Sequence, residues 1–143
     1  RVGLAGFERY YPHQLSGGMR KRVSLATTLI YEPGVLLMDE PFSALDVQTR
    51  NLMENELLDL WAETRNTVLF VTHDLEEAIA LSDEVIVMTA SPGGVKACYA
   101  IGLPRPRNVV EIRFRDEFTR LYEQIWKDLR DEVQASYALS KQR

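Results

Sequence analysis

Three groups of residues have the types and spacing to handle a phosphorylated ligand, and they occur in order along the chain. The first is Leu15-Ser16-Gly17-Gly18-Met19. Adjacent glycines let backbone N–H groups come close to an anion. A helix starting there adds the positive end of its dipole, and the Ser16 hydroxyl adds a donor. Ser-Gly-Gly alone would equally make an ordinary turn and N-cap. The second group is Asp39-Glu40, which follows the apolar run Val35-Leu36-Leu37-Met38. A carboxylate at a strand end can hold Mg²⁺ beside nucleotide phosphates, and its neighbour can orient and deprotonate an attacking water. Successive strand residues face opposite ways, so the two acids are expected to divide these tasks. A merely solvated strand end would look the same. The third is His73, whose imidazole could donate to a γ-phosphate oxygen; a histidine bonded to backbone at a strand-to-loop boundary is the other reading. His13, the only other histidine, lies in a loop and is assigned no chemistry.

Periodicity gives the elements that must position these groups. Met19, Val23, Ala26 and Ile30 recur at spacings of three and four, which predicts a helix from an N-cap at Ser16 to a stop at Pro33-Gly34. Residues 35–38 read as a buried parallel strand. Asp46 can cap a second helix, with Met53, Leu57, Leu60 and Trp61 as its apolar stripe. Residues 67–72 form a second buried strand, followed by a short helix over 75–81 and a strand over 84–89. A turn at 91–94 leads to a further strand over 96–101, paired as a hairpin. Leu103-Pro104-Arg105-Pro106-Arg107 suits neither helix nor inner strand and reads as an extended linker. The last segment is an amphipathic helix with Phe118, Leu121, Ile125, Leu129 and Val133 on one face, fraying from Ser136. Alternating helix and strand is the α/β pattern of a mostly parallel sheet. Ligands of such sheets gather at the C-terminal strand ends, where Asp39, Glu40 and His73 stand.

The 143 residues are 45% hydrophobic and 27% charged with net charge −4, the composition of a globular chain without a basic field for nucleic acid. No apolar run approaches the roughly 20 residues that span a bilayer. The single cysteine, Cys98, excludes an internal disulfide and reads as a half-buried strand residue.

In their joint order, these groups resemble the ATP-binding cassette (ABC) family. Residues 15–19 are similar to its signature sequence, 35–40 to its Walker B strand, 43–46 (Ser-Ala-Leu-Asp) to its D-loop, and His73 to its switch histidine. The resemblance implies a P-loop NTPase fold, with a partial ABC ATPase domain over residues 1–107 and a C-terminal helical extension over 108–143. Ser16, Gly17 and Gly18 would contact the γ-phosphate of ATP held by a second ATP-binding subunit. Asp39 would serve a Mg²⁺ site, Glu40 would be the general base, His73 the phosphate sensor, and Asp46 would communicate across the dimer interface. Tyr11-Pro12-His13-Gln14, Met19-Arg20-Lys21-Arg22, Thr72-His73-Asp74-Leu75-Glu76-Glu77-Ala78 and Leu103-Pro104-Arg105-Pro106-Arg107 are similar to the importer branch for nitrate, sulfonate, taurine and related solutes. That branch implies membrane-spanning permease subunits, an indirect solute-binding protein, and a peripheral place on the cytoplasmic face of the membrane. Lys21 stands where the family usually has glutamine.

The family also implies a phosphate-binding loop ending in Gly-Lys-Ser/Thr, and no glycine here is followed by lysine. The chain, opening at Arg1-Val2-Gly3, therefore reads as a C-terminal fragment that binds ATP weakly and turns it over negligibly alone. Such a fragment is expected to expose apolar sheet edge and face. A non-transport ABC ATPase acting on DNA or the ribosome is the alternative, opposed by the negative charge and by the lack of any insertion between residue 15 and His73. A non-catalytic remnant is another.

Overall fold

The computed structural model describes residues 4–31 and 33–140. It divides into two units, Arg1–Val71 and Thr72–Arg143.

In the first unit, a short 3-10 turn (Pro12–Gln14) leads into helix α1 (Gly17–Leu29). Ser16 caps α1 from extended backbone, its Oγ accepting from the Met19 N–H at 3.2 Å. Strand β1 (Val35–Asp39) pairs in parallel with β2 (Thr67–Val71), in register from Val35 with Thr67 to Asp39 with Val71. Helix α2 (Val47–Thr64) joins them, the crossover that parallel strands require. The Asn66 side-chain amide, donating to Pro33 O at 2.8 Å, ties the two strand entries together. Arg65 stops α2 in the left-handed region (φ 54°), its guanidinium 4.7 Å from the Trp61 ring.

Leu36 and Met38 are buried, whereas Val35 and Leu37 are 58% and 71% exposed. The continuous apolar run is therefore covered on one face only rather than on both as a buried strand would be, and the expected exposure of an apolar sheet face is observed. Leu69 and Val71 of β2 are likewise exposed, so both strands present an apolar face to solvent. Of the expected α2 stripe, Met53 and Leu57 are buried, and Leu60 and Trp61 are half-buried around a small void shared with Leu36 and Val68. Phe42 is 1% exposed and meets Phe70 at 6.0 Å between ring centres, which pins the loop after β1 to β2. A fully buried side chain of this size stabilises by about 2–3 kcal/mol.

The second unit begins with helix α3 (Leu75–Leu81), capped by Asp74, whose carboxylate accepts from the Glu76 and Glu77 N–H groups. Strands β3 (Glu84–Met88) and β4 (Val95–Ala100) form the expected antiparallel hairpin, with a bulge between Val87 and Met88. Cys98 is exposed on β4 rather than half-buried. A 3-10 turn (Glu111–Phe114) precedes helix α4 (Asp116–Ser140), which packs on α3, β3 and β4. Phe118 and Ile125 are buried, and Leu121 and Leu129 are half-buried. Val133 is 51% exposed, so the expected face is covered only in its first turns. The helix continues to Ser140, past the expected fraying at Ser136; residues 141–143 lie outside the described residues.

Residues 103–107 are irregular, as the prolines require, yet they are not a loose linker. Leu103 and Arg107 are buried. The Arg107 guanidinium donates to the carbonyls of Ser82 (2.6 Å), Leu103 (2.9 Å), Ala80 (3.2 Å) and Ile101 (3.3 Å). It thereby satisfies carbonyls at the end of α3, which no intrahelical N–H can reach. Arg105 binds Asp83 at 2.8 Å beside it.

Candidate phosphate-binding and acidic site

The start of α1 is built to leave backbone donors available. Its first ladder bond runs from the Arg20 N–H to Ser16 O at 3.0 Å, and the Met19 N–H is taken by the Ser16 side chain. The N–H groups of Gly17 and Gly18 precede that ladder and have no intrahelical acceptor. A Cβ on Gly17 would meet nothing within 4 Å, so the glycine there keeps open space rather than relieving a clash. The first turn holds no acidic residue, and Arg20, Lys21 and Arg22 follow it. Acids normally offset the positive helix end. Their absence, with Arg20 and Lys21 just beyond, leaves a local field that favours an anion.

The starts of α1 and α2 are adjacent. A Cβ on Gly18 would lie 3.4 Å from Thr49 Cγ2, and Arg22 pairs with Glu56 at 2.9 Å. Asp46 caps α2, Oδ1 accepting from the N–H groups of Thr49 (3.0 Å) and Gln48 (3.1 Å). The Thr49 N–H, followed by its hydroxyl, holds the exposed Asp46 carboxyl below the ordinary carboxylate range. Ser16, Gly17, Gly18 and Asp46 thus belong to two neighbouring helix starts, with Thr49 as their link. Sequence patterning missed Thr49, because its role depends on which helices meet.

Asp39 closes β1, and both it and Glu40 are exposed. Glu40 continues the ladder by one bond, its N–H donating to Val71 O at 2.8 Å. Its φ of 42° then turns the chain into the left-handed region. Its carbonyl accepts from the Ser43 N–H (3.3 Å) and the Ser43 hydroxyl (3.0 Å). Strand alternation therefore ends at Asp39, and the direction of Glu40 is fixed by a held left-handed turn instead. A non-glycine residue there stores about 1–2 kcal/mol, which persists only because both flanking bonds hold it.

No cluster of three or more metal-ligating groups exists among the described residues. Mg²⁺ uses only one or two protein carboxylates when water and phosphate oxygens complete its shell, so a single exposed carboxylate such as Asp39 is enough for an ion carried with a nucleotide. His73 lies in the second unit and is exposed. It stands between Thr72, whose hydroxyl accepts from the Asp74 N–H at 3.0 Å, and the α3 cap. His13 stacks on Tyr11 at 5.7 Å and is exposed.

Comparison with known proteins adds an independent line. Residues 1–43 match the family model described as ABC transporter. An uncharacterized ABC transporter ATP-binding protein of Methanocaldococcus jannaschii is 52% identical over 132 residues, 92% of this chain and 48% of that protein. An aliphatic sulfonates import ATP-binding protein of Bacillus thuringiensis subsp. konkukian is 43% identical over 123 residues, 86% of this chain and 49% of its own length. A putative ATP-binding protein of Brucella abortus biovar 1 is 45% identical over 125 residues, 87% of this chain and 48% of its own. The chain spans about half the length of the curated relatives it matches.

Proposed function

We propose that this chain belongs to the family of ABC transporter ATP-binding proteins, with an α/β, P-loop NTPase fold, and that it is part of an ATP-hydrolysing energy-coupling subunit of an importer. The observation that carries the reading is the α1 start: open space at Gly17, N–H groups ahead of the ladder, and no acid in the first turn. The relative named for aliphatic sulfonate import supports a small solute of the class of nitrate, sulfonates and taurine.

In this reading, Ser16, Gly17 and Gly18 bind the γ-phosphate of ATP held by a second ATP-binding subunit. Asp39 would hold Mg²⁺, which supplies neutralisation of phosphate charge when bound. Glu40 accepts a proton from the attacking water, and the held backbone at residue 40 fixes where its carboxylate stands. His73 donates to the phosphate, and Asp46 meets the opposite subunit. Residues 1–107 contribute these parts to the cassette, with 108–143 as its helical extension. Permease subunits and, through them, a solute-binding protein complete the assembly at the cytoplasmic face of the membrane. Without the Gly-Lys-Ser/Thr loop, this stretch alone binds ATP weakly and turns it over negligibly.

The test is Glu40→Gln in the whole subunit, measuring ATP turnover and ATP-dependent dimerisation together. Turnover is expected to vanish while the ATP-bound dimer is kept and stabilised. Wild-type turnover in that variant overturns the assignment of Glu40.

A further inference from the structure

The two helix starts share a construction that the resemblance does not describe. In α1, Leu15 precedes the Ser16 cap and Arg20 is the fourth helical residue. In α2, Leu45 precedes the Asp46 cap and Arg50 is the fourth. Each cap side chain accepts from the third helical N–H, Met19 or Thr49. Each arginine reaches back to the carbonyl before the cap: Arg20 Nη1 donates to Leu15 O at 2.6 Å, and Arg50 Nη2 to Leu45 O at 3.2 Å. An apolar residue at the fourth position commonly packs on the residue before the cap and fixes the angle at which the chain enters the helix. Here a charged hydrogen bond does that work, at a helix end where a cation is electrostatically disfavoured.

We infer that Arg20 is a positioning residue for the Ser16–Gly18 turn, clamping the Leu15 carbonyl so that the Gly17 and Gly18 N–H groups are aimed before any phosphate arrives. The inference rests on the phosphate-binding reading above and deepens it. Four features support it. The Leu15–Arg20 bond is short, Leu15 is buried and so anchors the clamp to the body, and Arg20 itself is exposed. The same clamp recurs at Asp46, where Arg50 sets the neighbouring start. Preorganised donors bind an anion without ordering cost at the moment of contact. One guanidinium nitrogen is spent on Leu15 O, so Arg20 acts through the turn and is not assigned a ligand contact.

The experiment uses the whole subunit in the Glu40→Gln background, with ATP as the probe and the dimer dissociation constant as the readout. Arg20→Met keeps the aliphatic stem and removes the donors. It is expected to weaken the ATP-dependent dimer about tenfold, the scale of one hydrogen bond from a charged group. Amide exchange at residues 16–19 should rise in the ATP-free protein, while the melting temperature stays put. Arg20→Lys, which can still donate to Leu15 O, should recover part of the affinity. An equal dimer constant in Glu40→Gln with and without Arg20→Met overturns the inference alone, as does a loss that only follows the melting temperature. Absence of any ATP-dependent dimer in Glu40→Gln overturns the underlying reading, and Arg20 with it.

Discussion

Gly18 of α1 faces Thr49 of α2, where a Cβ at Gly18 would make an ordinary 3.4 Å contact with Thr49 Cγ2, whereas one at Gly17 would meet nothing within 4 Å. The two positions therefore differ. A Cβ at position 18 would rest against α2; one at position 17 would stand in open space. Gly17→Ala is expected to raise stability by about 0.5 kcal/mol, through helix propensity, while weakening ATP-dependent dimerisation. Gly18→Val should cost about 1–3 kcal/mol by forcing α1 and α2 apart. Urea unfolding of the two variants checks the split, and equal stabilities would remove the contact from the argument.

Glu40 gives a second separation of stability from chemistry. Its φ of 42° suits glycine and strains alanine. Glu40→Gly should be more stable than Glu40→Ala by about 1 kcal/mol, although both lack the carboxylate and both should abolish turnover. Denaturant midpoints of the pair read this directly. An alanine variant as stable as the glycine variant would mean that the turn relaxes when the side chain is cut.

Much of the first unit was legible because its signals are local. The caps at Ser16 and Asp46, the stop after α1, and the apolar runs of β1 and β2 each follow from a few neighbouring residues. What escaped depends on contacts between distant segments. Nothing near residue 107 in sequence says that its guanidinium will serve the end of α3, so a proline-rich stretch looked like a linker. An all-apolar run such as residues 35–38 can be covered on one face or on two, and only its packing partners decide. Likewise Arg20 reads as a surface cation until Leu15 O is seen beside it. The left-handed turn at Glu40 carries no sequence mark at all, since glutamate has no preference for it.

Arg107 sets a prediction for the second unit. Burial, with repulsion from Arg105 next, lowers its pKa to about 10, while Asp83 acts the other way. The group stays charged around neutral pH, and its carbonyl cage is intact there. Arg107→Met should cost about 3 kcal/mol or more, because the carbonyls at the end of α3 and after β4 lose their donors while remaining buried. The loss should be flat across neutral pH. Amide exchange confined to α3 and residues 101–107 would locate it; a variant within error of wild type would show that water replaces the guanidinium without cost.

The second half of α4 is held to the hairpin by polar contacts rather than by its apolar face. Lys96 pairs with Glu132 at 2.9 Å and donates to Asp128 O at 2.9 Å. The Ala90 N–H donates to Glu132 at 2.9 Å, and Tyr99 OH donates to the Asp128 carboxylate. The Lys96 hydrogen bond, then that from Ala90, keeps the Glu132 carboxyl below its ordinary 4.5, and Glu132 raises Lys96 above 10.5. A depressed acid contributes stability that is present above its unfolded value and lost as pH falls through the lower folded one; a raised base contributes below its unfolded value and loses it as pH rises through the higher folded one. The contact is thus complete between those limits and fails first on the acid side as Glu132 protonates. Exchange of residues 126–134, corrected for the intrinsic rate, should be flat near neutrality and rise once pH drops below 4.5. Salt should raise it too, since both partners are partly exposed and screened. Glu132→Gln should give the raised exchange at all pH values and remove the acid limb, leaving residues 116–125, anchored by Phe118 and Ile125, unchanged. Exchange that rises equally along all of α4 would mean the helix docks as one piece, with no separable latch.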